Sequence, residues 1–129
     1  MSKSEEPGPE RISEAEYAVM EVLWADHPRT AAEVCGAVRE NRAWSMTTVK
    51  TLLSRLVSKG AVVTEPDGRR FRYSPRLERD AYVGGESRRL VDRLFGGRAA
   101  ALFAHLAEAE VLDEQDLKEI ERLLKELRS

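Results

Sequence analysis

Four hydroxylated side chains, Thr47, Thr51, Ser54 and Ser58, recur along one stretch of this sequence at spacings of four, three and four residues. At about 100 degrees per residue they share about 60 degrees of helix circumference. Lys50 lies on one flank and Arg55 on the other. Val49, Leu52, Leu53 and Leu56 fall on the opposite side as a narrow apolar stripe. Serine and threonine are poorer helix formers than glutamate, lysine or glutamine by a few tenths of a kcal/mol per residue, so a face meant only for solvent would not favour them. Short hydroxylated side chains let a helix backbone approach another surface closely and still bond phosphates or base edges, as a DNA major groove requires. Ser45 is placed to cap this helix, and Thr47 and Thr48 sit near its N-terminus, where unpaired N–H groups and the helix dipole favour a phosphate.

Other chemistries find little material. Cys35 is the single cysteine, and with only His27 and His105 beside it the chain has neither a disulfide pair nor a zinc-ligand spacing. No Ser/His/Asp set, glycine-rich phosphate loop or paired catalytic carboxylates can be assembled, so an enzyme is not expected, nor a metal or other cofactor. Cys35 reads as a small core or boundary residue, and the two histidines as surface or loop residues.

The charge distribution agrees with the hydroxyl face. The formal net charge is −2, yet residues 42–79 hold nine basic against three acidic side chains, residues 1–41 four against nine, and residues 100–129 four against eight. A basic block between acidic ends suggests a surface that faces a polyanion. With 129 residues the chain has room for one or two small domains. No run approaches the ~20 apolar residues that cross a bilayer, and residues 1–11 lack the apolar centre of a signal peptide. The expectation is a cytoplasmic protein with no membrane insertion.

The elements that position these residues follow from local signals. Residues 1–11 are polar and read as a mobile tail. Ser13 with Glu16 forms a capping box, and Ile12 with Tyr17 a hydrophobic staple, predicting a helix to about Asp26. Thr30 with Glu33 opens a second helix to about Asn41, and the third runs from the Ser45 cap to Lys59, stopping at Gly60. Residues 61–65 and 70–74 read as two strands around a turn at Pro66, Asp67, Gly68 and Arg69. Phe71 and Tyr73 alternate with Arg70 and Arg72, so the aromatic pair is expected to face the helices and the arginines, with Arg69, to serve a nucleic acid. The fold class is therefore mainly α with a small β-hairpin wing: a winged helix-turn-helix domain over residues 12–75, followed by a helical dimerisation domain over residues 76–129.

That second segment reads as three short helices, one of them weakened by Gly84 and Gly85. Roughly 54 residues without a staple fall below the ~70 to 80 that usually stand alone, so association is expected. Leu117, Ile120, Leu123, Leu124 and Leu127 cover an arc of about 120 degrees on the last helix, more than one short neighbour can cover. Leu90 and Leu94 join them as candidate dimer residues. A two-fold homodimer would set its recognition helices about one DNA turn, ~34 Å, or a multiple of it, apart. The competing function is a winged-helix module that presents the same basic face to an acidic protein.

The runs Ile12-Ser13-Glu14-Ala15-Glu16, Val22-Leu23-Trp24, Thr47-Thr48-Val49-Lys50-Thr51-Leu52-Leu53-Ser54-Arg55-Leu56 and Lys59-Gly60-Ala61 resemble the BlaI/MecI/CopY family of transcriptional repressors. The resemblance covers nearly the whole chain beyond the tail. It implies a homodimer on a palindromic double-stranded operator, with the C-terminal helices forming the dimer. It also implies a partner, a membrane sensor-transducer metalloprotease that triggers cleavage in the C-terminal helices. The family's Asn-Phe scissile bond matches His105-Leu106 in this chain, and the cysteine-rich end of its copper-responsive branch has no counterpart after Leu124.

Overall fold

In the computed structural model, which describes residues 11–129, the first helix begins where its cap predicts. The Ser13 hydroxyl accepts from the Glu16 amide while the Glu16 carboxylate accepts from the Ser13 amide, and helix α1 runs from Glu14–Ala25. A two-residue strand β1, Arg29–Thr30, follows, and Thr30 with Glu33 closes a second capping box on α2, Ala31–Val38. Ser45 caps α3, Met46–Ser58, and Gly60 takes the left-handed conformation (φ 80°) that releases the chain from it.

The wing is the hairpin of β2, Val62–Asp67, and β3, Arg70–Pro75. Asp67 pairs with Arg70, leaving Gly68 and Arg69 as a two-residue connection. Gly68 has φ 66° and Arg69 does not share the positive sign, the pattern of a type II′ turn, with glycine at the first central position. β1 pairs antiparallel with β3, so the sheet order is β1-β3-β2.

Val19, Met20, Leu23, Val34, Val49, Leu53 and Leu56 are fully buried and join the three helices into one core, which Ala61 and Val62 extend under the wing. Cys35 is part of it. Trp24 and Tyr82 close its edge, with Trp24 Nε1 donating to the Leu77 carbonyl at 2.8 Å, the Trp24 ring edge-on to Tyr17 and the Tyr82 ring tilted against it.

Helix α4, Arg79–Phe95, passes through Gly84 and Gly85 without a break. The chain divides into two compact units between Val83 and Gly84. The second unit continues α4 and adds α5, Ala99–Glu108, and α6, Glu114–Arg128, the latter capped by Asp113 with Asp116. No residue of α4, α5 or α6 is fully buried.

Three expectations need correction. The second helix ends at Val38 rather than near Asn41. Pro66 and Asp67 belong to β2 rather than to the turn. Phe71 is not covered as Tyr73 is: it is 52% exposed, whereas Tyr73 packs against the core. The reason lies in how far the core cluster extends toward the wing, since it reaches Tyr73 and not Phe71. The expected tail at residues 1–11 lies outside the described residues except for Arg11.

Candidate nucleic-acid interface

The same apolar stripe that fixes α3 in the core decides what it offers to solvent. With Val49, Leu52, Leu53 and Leu56 turned inward, Thr47, Thr48, Lys50, Thr51, Ser54, Arg55 and Ser58 are all exposed. The helix presents an outer side of hydroxyls and two cations, with Val57 exposed at its edge and no carboxylate. Ser45 ties its start: Oγ accepts from the Thr48 amide at 3.2 Å and donates to Thr48 Oγ1 at 3.2 Å. Unlike α1, α2 and α6, this helix has no acidic side chain in its first turn to neutralise the positive end of its dipole.

At its far end α3 is anchored by a buried charge. Lys59 Nζ donates to Glu16 Oε1 at 2.6 Å and to the Arg11 carbonyl at 2.7 Å, and the Glu16 side chain is only 2% exposed. Burial by itself would raise the Glu16 pKa. Its hydrogen bonds from Lys59 and from the Ser13 amide, together with the lysine charge, more than offset that and hold the carboxyl below its usual range. Sequence spacing identified Glu16 as a capping residue. Its partner lies 43 positions away, where no local pattern reaches.

The three wing arginines divide into different roles. Arg69 occupies the turn and is exposed. Arg72 is half-buried, and its Nε donates to Asp67 Oδ2 at 2.8 Å, while Arg70 Nε lies 3.4 Å from the same oxygen. The hydrogen bond from Arg72, joined by the charges of Arg72 and Arg70, lowers the Asp67 pKa, and the same bond raises that of Arg72. Asp67 therefore acts as a staple across the hairpin, a role that its position beside a turn did not reveal. Glu33 adds a weaker negative field at Arg72, its own pKa lowered first by the hydrogen bond from the Thr30 amide.

Lys50, Arg69 and Arg70 come together around one groove between the N-terminal ends of α2 and α3 and the wing. Its lining also includes Ala31, Ala32, Met46 and Phe71. Arg55 and Arg72 do not line it. Such a lining, three cations together with small and apolar groups, suits a polyanionic strand.

In the second unit the candidate dimer residues lie on accessible surface. Leu94, Leu117, Leu123, Leu124 and Leu127 are exposed, Leu127 at 82%, and Leu90 and Ile120 are half-buried. His105 and Leu106 fall inside α5, with the His105 ring exposed and 6.1 Å from that of Phe95. Among the described residues no group of histidines, cysteines and carboxylates is arranged to hold a metal ion, and no helix is long and apolar enough to cross a membrane.

Comparison with known proteins matches residues 12–126 to the family described as penicillinase repressor. A relative, the transcriptional regulator BlaI of Mycobacterium tuberculosis, is 38% identical over 91% of this chain and 85% of its own length. The penicillinase repressor of Bacillus licheniformis is 29% identical over 90% of this chain and 91% of its own. Among solved structures, Bacillus licheniformis BlaI in monomeric form, in complex with the blaP half-operator, superposes with a TM-score of 0.50 at 36% identity. That match covers 57% of this chain and 89% of the other.

Proposed function

The chain belongs to the penicillinase repressor family, and on that footing we propose that it is a DNA-binding transcriptional repressor, a regulator and not an enzyme. It works in the cytoplasm, where it occupies a palindromic operator as a homodimer. DNA binding is assigned to residues 12–75 and dimerisation to residues 76–129. The observation that carries the reading is the outer side of α3, wholly exposed, free of carboxylates and backed by a core that cannot let it rotate. Thr47, Thr51 and Ser54 are positioned to meet base edges, and Ser45, Thr48, Lys50 and Arg55 the phosphates flanking them. Arg69 and Arg70 meet the backbone at the adjoining groove, and Arg72 braces the hairpin through Asp67. One winged unit reads one half-site, as the half-operator complex of the Bacillus relative illustrates for that protein.

The dimer is formed by the leucines of α4 and α6. Exposed apolar surface of this extent on three helices without a buried residue calls for a partner, and a second copy satisfies it by symmetry. Electrophoretic shift of the full-length protein on promoter fragments from its own genomic neighbourhood tests the reading. Retention of a discrete fragment, competed by itself and not by scrambled duplex, is expected. No retained fragment at moderate salt would favour an acidic protein as the ligand instead.

Relief of repression belongs to the same proposal. A membrane sensor-transducer metalloprotease cuts, or triggers a cut, at the His105-Leu106 bond, which lies within the last turns of α5. Those turns must unwind before a protease can take them, so the cut depends on local opening of a helix that has no fully buried residue. Mass spectrometry of the protein from induced cells would show fragments ending at His105, and an intact chain after derepression would refute this route.

A further inference from the structure

Phe71 is an aromatic residue exposed where the strand pattern expects a core position, on a wing whose next inward residue on the same side, Tyr73, is packed. It lines the groove between α3 and the wing, where its neighbours are the small Ala31 and Ala32 and the flexible Met46. Lys50, Arg69 and Arg70 line the same groove. The groove thus combines positive and apolar groups, and one DNA strand combines phosphate and deoxyribose. With α3 in a major groove and the turn at Gly68 and Arg69 reaching the neighbouring groove, the strand separating the two grooves runs between helix and wing. We propose that Phe71 packs on the deoxyribose face of that strand, a sequence-independent contact that sets how deeply the wing seats. It rests on the DNA-binding reading above, which places α3 in the groove. Charge complementarity selects the occupant: an apolar protein segment would leave three cations facing hydrocarbon, whereas a sugar–phosphate backbone pairs with both kinds of group.

The test is fluorescence anisotropy of full-length protein with two duplexes, the promoter fragment that the wild type retains and a scrambled duplex of equal length, each over a range of salt. Phe71→Ala is expected to weaken both by roughly tenfold while leaving the slope of log K against log salt unchanged, because apolar contact releases no counterions. Phe71→Leu should recover most of the loss. The melting temperature of Phe71→Ala should stay within a few degrees of wild type, since the ring is half exposed. Affinity unchanged within twofold, a loss confined to the promoter fragment, or a slope that falls would each overturn the proposal. So would a melting temperature lowered by more than ~8 °C, which would make Phe71 a packing residue. Wild-type protein that binds neither duplex would refute the DNA reading itself, a result distinct from any of these.

Discussion

Replacing Lys50 by alanine isolates the electrostatic part of operator binding. Lys50 is exposed on α3, and among the described residues its side chain has no ion-pair partner, so its removal leaves the core of Val49 and Leu53 untouched. Folding stability should change by less than about 0.5 kcal/mol. A phosphate contact contributes about 0.9 to the slope of log K against log salt, and a dimer loses two of them, so the slope should flatten by about 1.8. Over a fourfold salt range, from about 50 to 200 mM, that flattening makes the deficit of the variant shrink about 12-fold. Titration by anisotropy at four or five salt concentrations, with the same promoter duplex throughout, measures it directly. Parallel lines for variant and wild type would refute the placement of Lys50 against the backbone. A deficit that varies with the base sequence and not with salt would assign the lysine to base readout instead.

Other outcomes follow from the same geometry. Asp67→Asn removes the carboxylate that Arg70 and Arg72 share, so binding to scrambled duplex should tighten, with a steeper salt slope and a smaller preference for the promoter fragment, read in the same titration. Glu16 has a folded-state pKa below its unfolded value, so its ion pair stabilises the protein fully above the ordinary carboxylate range, and that contribution is lost as pH falls through the depressed value. Urea denaturation between pH 3 and 7 should show this loss in the wild type and much less of it in Glu16→Gln, which costs about 1 to 3 kcal/mol at neutral pH because it removes the negative charge that Lys59 faces. Leu123→Asp places a charge where α6 exposes 44% of a leucine; sedimentation should find a monomer at micromolar concentration with the winged unit still folded by circular dichroism. Gly84→Ala and Gly85→Ala meet nothing within 4 Å of the new methyl group, and each should stabilise α4 by about 1 kcal/mol in thermal unfolding.

What was legible in the sequence is what depends on near neighbours. The caps at Ser13, Thr30 and Ser45 are three-residue signals, and all three helices they open are present. The hydroxyl face of α3 was readable for the same reason, since helical periodicity alone sorts Thr47, Thr51, Ser54 and Ser58 from Val49, Leu52, Leu53 and Leu56. Distant partners were not. Strand β1 consists of two residues with no propensity signal of their own and exists because Tyr73 and Arg72 lie opposite. Alternation sets Phe71 and Tyr73 on one side of β3, yet which of them is covered depends on how far the core cluster extends toward the wing. Asp67 looked like a turn former, because pairing of Asp67 with Arg70 lengthens the strand by an amount that composition does not encode. Glu16 and Lys59 meet only when α1 and α3 cross.

Helix α3 divides its labour by circumference, its stripe of Val49, Leu52, Leu53 and Leu56 buried and its hydroxyl face exposed. Descendants of such a gene can exchange Thr47, Thr51 or Ser54 and acquire new binding sequences at little thermodynamic risk, because surface changes of this kind shift stability by only about ±0.5 kcal/mol. A regulator organised in this way can be copied and retargeted by drift along one strip of its surface, while the scaffold beneath remains the same.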